Sequence, residues 1–304
     1  MGLGYEQAAD ASQGAGGHGP EMAHSTRIGI VCPGGRIEPD LAARVAAFAC
    51  AAFPERPPEL IFHPQCFLSA GHFAGDDAAR AQAFLEIAND PGIDALWVGR
   101  GGYGACRMAE AVLAGVTDTA RAKTYLGYSD AGALLGALYK NGFPRVAHGP
   151  MPVDITREGG EAAVRRALSF LTDGDAAALE PTAARGGKTA AYNMMILSTI
   201  LCTPLEPDLS DHVLMLEEVG EYMYRIDRIL YQITASPMIR RARGIKLGRW
   251  SAVPKNDPDF GMSEEDVMAY WCARAGIAYL GRADIGHDVD NKIVPFGSWP
   301  AAMA

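Results

Sequence analysis

This 304-residue chain has no C-x-x-C pair. Its six cysteines, Cys32, Cys50, Cys66, Cys106, Cys202 and Cys272, are scattered along it. Such spacing argues against a disulfide framework and against a paired-cysteine zinc site, so reduced, mostly buried thiols in a cytoplasmic protein are expected. Histidine ligand pairs are missing too: neither H-x-x-x-H nor H-x-x-E-H occurs, and no metal or other cofactor is expected. The short acidic stretch "DVDN" lacks the length and terminal Glu of a calcium loop and reads as a solvated turn. Cations are in deficit, with 27 Lys and Arg against 36 Asp and Glu, a formal charge of −9. That balance speaks against nucleic acid or an anionic membrane as the main partner. No stretch approaches the ~20 consecutive apolar residues of a membrane span. The first residues lack the basic start and apolar centre of a secretory signal, and residues 1–25 read as a flexible Gly/Ala/Ser-rich tail.

What is present is an ordinary globular composition, 49% hydrophobic and 21% charged. From Arg27 the chain alternates short apolar runs with amphipathic ones. "RIGIV", "ELIF", "IDALWVG" and "TYLG" read as strands. "EPDLAARVAAFACAAF", with Asp40 as its expected N-cap, "DDAARAQAFLEIAND", "ACRMAEAVLAG" and "AGALLGALYKNG" read as helices. This alternation predicts a mostly parallel sheet with helices on both faces, Rossmann- or flavodoxin-like, over residues 26–172. Residues 173–188 carry Gly, Pro and Asp without periodicity and read as a linker. Residues 189–304 predict a smaller α+β domain. There "AAYNMMILSTILC" reads as helical, "HVLMLEE" and "ARGIKLGRWS" as strands, and "EYMYRIDRILYQITAS" and "SEEDVMAYWCARAG" as helices. The last of these opens on the capping-box variant Ser263 and Asp266.

The stretch with the clearest chemistry is "TYLGYSDAGALLGAL". A strand ending at Gly127 gives way to a helix near Asp130, and Ser129 sits on the turn, as in a nucleophile elbow. The helix start behind Ser129 offers unpaired N–H groups where an attacked carbonyl develops negative charge. Ser129 or Asp130 also fits as a plain helix cap. A serine nucleophile needs a base, and His287 in the Gly-flanked loop "ADIGHDVDN" is well placed to present an imidazole; His148, before Gly149, reads as structural. The base needs an orienting carboxylate. Glu217 and Glu218 both follow an apolar run, and spacing does not choose between them.

"GRGGYG" contains Gly99-x-Gly101-x-x-Gly104, formally the dinucleotide fingerprint. That motif belongs in the first βα turn, with an acid at the end of the next strand. Here two strands precede it, and Glu110 and Asp118 lie in a helix and a turn. The alternative use of such a loop is to bring a bare backbone N–H to a substrate oxygen. A nucleotide-binding protein and an α/β-hydrolase-type esterase or amidase remain the two rival readings.

"IGIVCPGG", "GRGGYGACRM", "LGYSDAGALLGALY", "HGPM", "LEEVGEYMYRIDRIL" and "GHDVDNKIVPFG" occur in one order across Arg27–Gly297. As a set they resemble the LD-carboxypeptidase family of serine peptidases, which includes muramoyltetrapeptide carboxypeptidases and microcin-C immunity peptidases. The resemblance implies an N-terminal α/β domain, a barrel-like C-terminal domain, and a Ser129–His287–Glu217 triad. It also implies an oxyanion hole from the amides of Gly102 and Asp130, and release of a terminal D-amino acid from murein tetrapeptide-like substrates in the cytoplasm. An exopeptidase must hold a terminal carboxylate, and Arg100, Arg225 and Arg228 are candidates, with Tyr103 a further substrate contact. A homodimer acting on a small peptide is the expected form. The chain departs from the family pattern in having Ala191-Tyr192-Asn193 for Gly-Gly-Asn, "CPGG" for Pro-Ser-Gly, and few residues after "VPFG".

Overall fold

In the strand Arg27–Val31 (β1), Ile28, Ile30 and Val31 are all buried, so both of its faces are covered. A strand of that kind belongs inside a parallel sheet flanked by helices. The computed structural model describes Met1 and residues 25–299; the tail expected at the amino end falls, apart from Met1 and Ser25, outside the described residues. After β1 come α1 (Pro39–Ala52), β2 (Glu59–Phe62), α2 (Asp77–Asn89), β3 (Ala95–Val98) and α3 (Ala105–Gly115). A short α4 (Asp118–Arg121), β4 (Thr124–Gly127), α5 (Gly132–Lys140), β5 (Val146–His148) and α6 (Gly160–Asp173) follow. The chain continues through a short α7 (Pro181–Ala184), β6 (Thr189–Asn193), α8 (Met194–Ile200), β7 (Val213–Val219) and α9 (Met223–Ala235). It ends with β8 (Gly244–Ser251), α10 (Glu264–Ala275), β9 (Tyr279–Arg282) and β10 (Val294–Pro295).

The first sheet has the order β10-β5-β4-β3-β1-β2. Its strands are parallel except β10, which runs antiparallel to β5. The chain leaves β1 toward β2 on one side and returns to β3 on the other. The loops after β1 and β3 therefore diverge at the carboxyl edge, the crevice where doubly wound sheets bind ligands. The glycine loop follows β3, and the Ser129 turn follows β4 beside it.

The second sheet has the order β6-β7-β8-β9 and is parallel throughout, with α8, α9 and α10 between successive strands. It meets the first sheet through α5. Tyr192 of β6 lies fully buried against that helix, and a Cβ at Gly132 would stand 3.3 Å from its ring. The chain then crosses back. Val294 of β10 pairs with His148 of β5, and Thr189 and Gly297 exchange hydrogen bonds of 3.1 and 2.8 Å. Residues 283–293 thus bridge the two sheets, and His287 rides on that bridge.

Several local expectations change. "AAYNMMILSTILC" is not one helix: Thr189–Asn193 is a fully buried strand, and Asn193 ends it by accepting a bond from the Ile196 amide as the cap of α8. Asp40 is not the cap of α1. Glu38 holds that position and makes no side-chain cap bond, while Pro39 opens the helix with its φ already set. The linker segment is anchored: buried Glu180 caps α7 and pairs with Lys246 at 3.2 Å. Helix α6, absent from the sequence reading, buries Ala163, Val164, Ala167, Leu168 and Leu171 on one stripe. The capping box of Ser263 and Asp266 is present. Only three thiols, Cys32, Cys66 and Cys272, are buried; Cys50 and Cys202 are exposed, and all six are free.

Candidate active site

Ser129 follows Tyr128 out of β4 with φ of 61°, in the left-handed region that residues with a Cβ rarely adopt. Such strain persists only where the surroundings impose it. Close packing surrounds this turn. A Cβ on Gly127 would lie 2.9 Å from the Val98 side chain, and one on Gly101 would lie 3.0 Å from Ser129 Cβ and 3.1 Å from its Oγ. The glycine loop therefore packs directly on the serine, and a side chain at position 101 would displace it.

His287 and Glu217 meet Ser129 from the other sheet. His287 Nδ1 donates to Glu217 Oε2 at 2.5 Å, and Ser129 Oγ donates to His287 Nε2 at 3.1 Å. The carboxylate on Nδ1 fixes the proton there and leaves Nε2 as the acceptor. Glu217 is fully buried and the His287 side chain 9% exposed. Burial alone disfavours the charged imidazole, but the carboxylates of Glu217, then Glu218 and Asp154, outweigh it, and the His287 pKa is raised. The structure also separates the two neighbouring glutamates. Glu218 turns to the opposite face, where it accepts from Asn193 Nδ2 at 2.6 Å, the Val219 amide at 2.9 Å and the Met195 amide at 3.0 Å. Its burial raises its pKa.

Gly102 takes φ of 87°, and its amide makes no hydrogen bond among the described residues. The Asp130 amide stands in the first turn after Ser129, where no intrahelical acceptor exists. The Asp130 side chain makes a tie that the sequence did not announce. Its buried carboxylate accepts from the Ala105 amide at 2.8 Å and so ties the Ser129 turn to the start of α3. Arg80 of α2, also missed, is 1% exposed and donates to the carbonyls of Pro33 and of Gly104, at 2.8 Å for the latter, stitching the "CPGG" loop to the glycine loop. A buried arginine two elements away carries no local sequence signal of that kind.

Residues 28–149 match the family profile of the LD-carboxypeptidase N-terminal domain, and residues 186–301 that of the C-terminal domain. This chain belongs to the LD-carboxypeptidase family. A Synechocystis sp. protein named as a carboxypeptidase is 31% identical over 247 residues, 79% of this chain and 80% of the relative. The murein tetrapeptide carboxypeptidase of Pseudomonas aeruginosa is 27% identical over 246 residues, 74% of this chain and 78% of the relative. A muramoyltetrapeptide carboxypeptidase from Oxalobacter formigenes shares the fold, with a TM-score of 0.71 at 23% identity over 88% of this chain and 93% of that one.

In this LD-carboxypeptidase family member, Ser129 opens onto a cavity of about 340 Å³. Gly102, Tyr103, Asn193, Met195, Glu218 and Glu221 line it. Tyr103 is half exposed and packs on Phe73 and His72. Arg100 lies outside that cavity, in an adjoining one that shares Gly102, with Nη1 donating to the Arg36 carbonyl at 3.1 Å. Arg225 and Arg228 do not line that cavity. Arg225 pairs with Glu221 at 3.4 Å, and Arg228 lies 5.7 Å from the Tyr224 ring centroid. Among the described residues no three His, Cys, Asp or Glu side chains are grouped to hold a metal ion, and no helix is long and apolar enough to cross a membrane.

Proposed function

We propose that this chain is a cytoplasmic LD-carboxypeptidase that releases a terminal D-amino acid, D-Ala, from a murein tetrapeptide-like substrate through an acyl-enzyme. The observation that carries the reading is the unbroken chain from Ser129 Oγ through His287 to the buried carboxylate of Glu217. His287 Nε2 takes the proton of Ser129 as Oγ attacks the carbonyl before the terminal residue. Glu217 holds the imidazole in the tautomer that allows this and stabilises the imidazolium that forms. The amides of Gly102 and Asp130 receive the oxyanion. His287 then returns its proton to the departing amine. Water, deprotonated by the same nitrogen, hydrolyses the ester.

The chemistry of the cavity supports a diamino residue on the acyl side, since the Glu218 carboxylate lines it and suits an ammonium, whereas Glu221, also in the lining, already pairs with Arg225. Arg100, which has no carboxylate partner among the described residues, is the candidate for the terminal carboxylate. A panel of LD-, DD- and LL-peptides with an aminoacyl-adenylate analogue tests the reading against wild type and Ser129→Ala. Release of D-Ala from the LD-peptide alone, lost in a folded Ser129→Ala protein, is the expected result. Full turnover in that variant, or cleavage confined to the adenylate or to LL-peptides, refutes it.

A further inference from the structure

The loop that presents His287 is held by three side chains outside the triad. Arg249 of β8 grips it from the second sheet, donating Nε and Nη2 to Asp288 at 2.5 and 2.8 Å and Nη1 to Asp284 at 2.6 Å. The acidic "DVDN" turn is therefore not merely solvated; its first carboxylate is a bidentate partner. The other two ties come from the half of the chain that carries the nucleophile. Arg166 of α6 donates Nη1 to the carbonyls of Val289 and Asn291, each at 2.9 Å. His148, the last residue of β5, donates Nε2–H to Asn291 Oδ1 at 3.3 Å. The Gly286 amide donates to that same oxygen at 3.2 Å.

We propose that Asn291 is a positioning residue that sets His287 over Ser129, with His148 as its anchor on the nucleophile's sheet. The inference rests on the reading of His287 as the general base. One oxygen joins two fixed points. Gly286 is the residue immediately before His287. His148 is registered opposite Gly127, two residues before Ser129. The oxygen thus links the neighbour of the base to the neighbourhood of the nucleophile across the junction between the sheets. Asn291 is 1% exposed and does not line the substrate cavity.

An amide suits the position. Its oxygen accepts two N–H bonds without adding a charge to a dry space that already contains Glu217, while its Nδ2 is buried with no partner among the described residues. The Gly286 N–H also fixes which end of the amide faces the loop. His148 suits the anchor for a related reason. Burial outweighs the pull of Glu217 and, together with His287, holds its pKa down at about 4, so it is a neutral single donor at ordinary pH. Tyr128 packs between the two histidines, with ring centroids 5.6 Å from His148 and 4.9 Å from His287, and donates its hydroxyl to Asp154 at 2.8 Å. From sequence His148 reads as structural because it precedes Gly149 near a strand end; its partner lies 143 residues away, beyond the reach of any local signal.

The test compares Asn291→Ala, His148→Leu, their combination, and His148→Gln, whose side-chain amide nitrogen replaces the lost donor. Turnover is measured on a peptide ending in L-Lys-D-Ala. Each of the first two should lower kcat by about 10- to 100-fold, the range of an ångström-scale misplacement. KM should stay within about threefold, since no substrate contact is removed. The double variant should be no worse than the poorer single one, because both break the same bond. His148→Gln should retain most of the wild-type kcat. Proton NMR of the His287 Nδ1–H gives a readout without turnover: a low-field resonance in wild type, shifted or broadened in Asn291→Ala. If Asn291→Ala does not fold, His148→Leu reads the same tie with the loop's own bonds intact.

His287→Ala is the control for the underlying reading. Turnover surviving in that variant refutes His287 as the base, whatever the clamp variants do. Turnover lost in His287→Ala but kept at the wild-type kcat in folded Asn291→Ala, with the low-field resonance unmoved, overturns the positioning role alone. Losses in Asn291→Ala and His148→Leu that multiply in the double variant also overturn it.

Discussion

Glu217→Gln removes one charge and almost no volume. Glu217 Oε2 lies 2.5 Å from His287 Nδ1 in a site where neither side chain is more than 9% exposed. Two unit charges about 4 Å apart in a partly screened interior interact by about 4 kcal/mol. In the proposed mechanism the attack of Ser129 creates an imidazolium, so that attraction is gained on the way to the transition state and is missing in the variant. A glutamine can also turn its NH2 toward Nδ1 and so favour the wrong tautomer. In serine triads the acid-to-amide change costs roughly 10⁴ in turnover. That is about 5.4 kcal/mol, comparable to the Coulomb figure with a tautomer contribution added.

The pH profile gives a second, independent sign. The base works only when neutral, so kcat/KM falls as pH drops through the His287 pKa. In wild type that pKa is raised, which places the limb above the ordinary imidazole value of about 6.5. In Glu217→Gln the main raising influence is gone and burial, which lowers it, remains. The limb should move to lower pH while the plateau collapses. Steady-state kinetics between pH 5 and 9 with an LD-peptide, beside a thermal melt, measures both. A variant within about tenfold of wild type, or a limb that stays or moves upward, would refute the assignment of Glu217. Glu218→Gln is the matched control: its effect should appear mainly in KM, and its acid limb should move down by less than that of Glu217→Gln, because Glu218 faces the cavity and the cap of α8 and raises the His287 pKa less than Glu217 does.

Two further outcomes follow from the packing. Gly101→Ala places a Cβ about 3 Å from Ser129 Cβ and Oγ, so kcat should fall by about 100-fold or more while the melting temperature changes little; unchanged kcat would mean that the loop and the serine are not locked together. His148 supplies a stability prediction. Its folded pKa is depressed to about 4, so the unfolded chain protonates first as pH falls below about 6.5, and stability drains away from there down through the folded value. His148→Gln has no such group. Its loss of unfolding free energy between pH 7.5 and 4.5, read by denaturant titration, should be about 2–3 kcal/mol smaller than that of wild type, and an equal loss would show that His148 is not held neutral.

Much of this protein was legible before any coordinates. The parallel first sheet follows from strands too apolar to have a wet face, such as "ALWV", buried at all four positions. The Ser129 turn follows from a glycine, a serine and a helix start in sequence. Both are local: a few consecutive residues contain the cause. Helix α6 is equally local in origin, with a clear apolar stripe in its own residues. The strand β6, by contrast, was hidden. Thr189–Asn193 merges into an apolar helix, and only the Asn193 cap marks the change.

What the residues could not decide alone is what comes together from afar. "LEE" offers two carboxylates, and the pleat of β7, which sends neighbours to opposite faces, puts Glu217 on the imidazole and Glu218 on Asn193. Arg80, Arg166, Arg249 and Asn291 are ordinary surface-type residues in a sequence. They become clamps, Arg80 and Asn291 buried and Arg166 and Arg249 partly so, because α2, α6, β8 and the β9–β10 loop converge on the loops around Ser129 and His287. The return of β10 to the first sheet carries His287 from one sheet to Ser129 of the other. Sequence determined which chemistry was available, because backbone conformation and helix starts are set by near neighbours. Tertiary structure decided which groups meet, because a hydrogen bond of about 3 Å across 158 residues exists only once two sheets have packed.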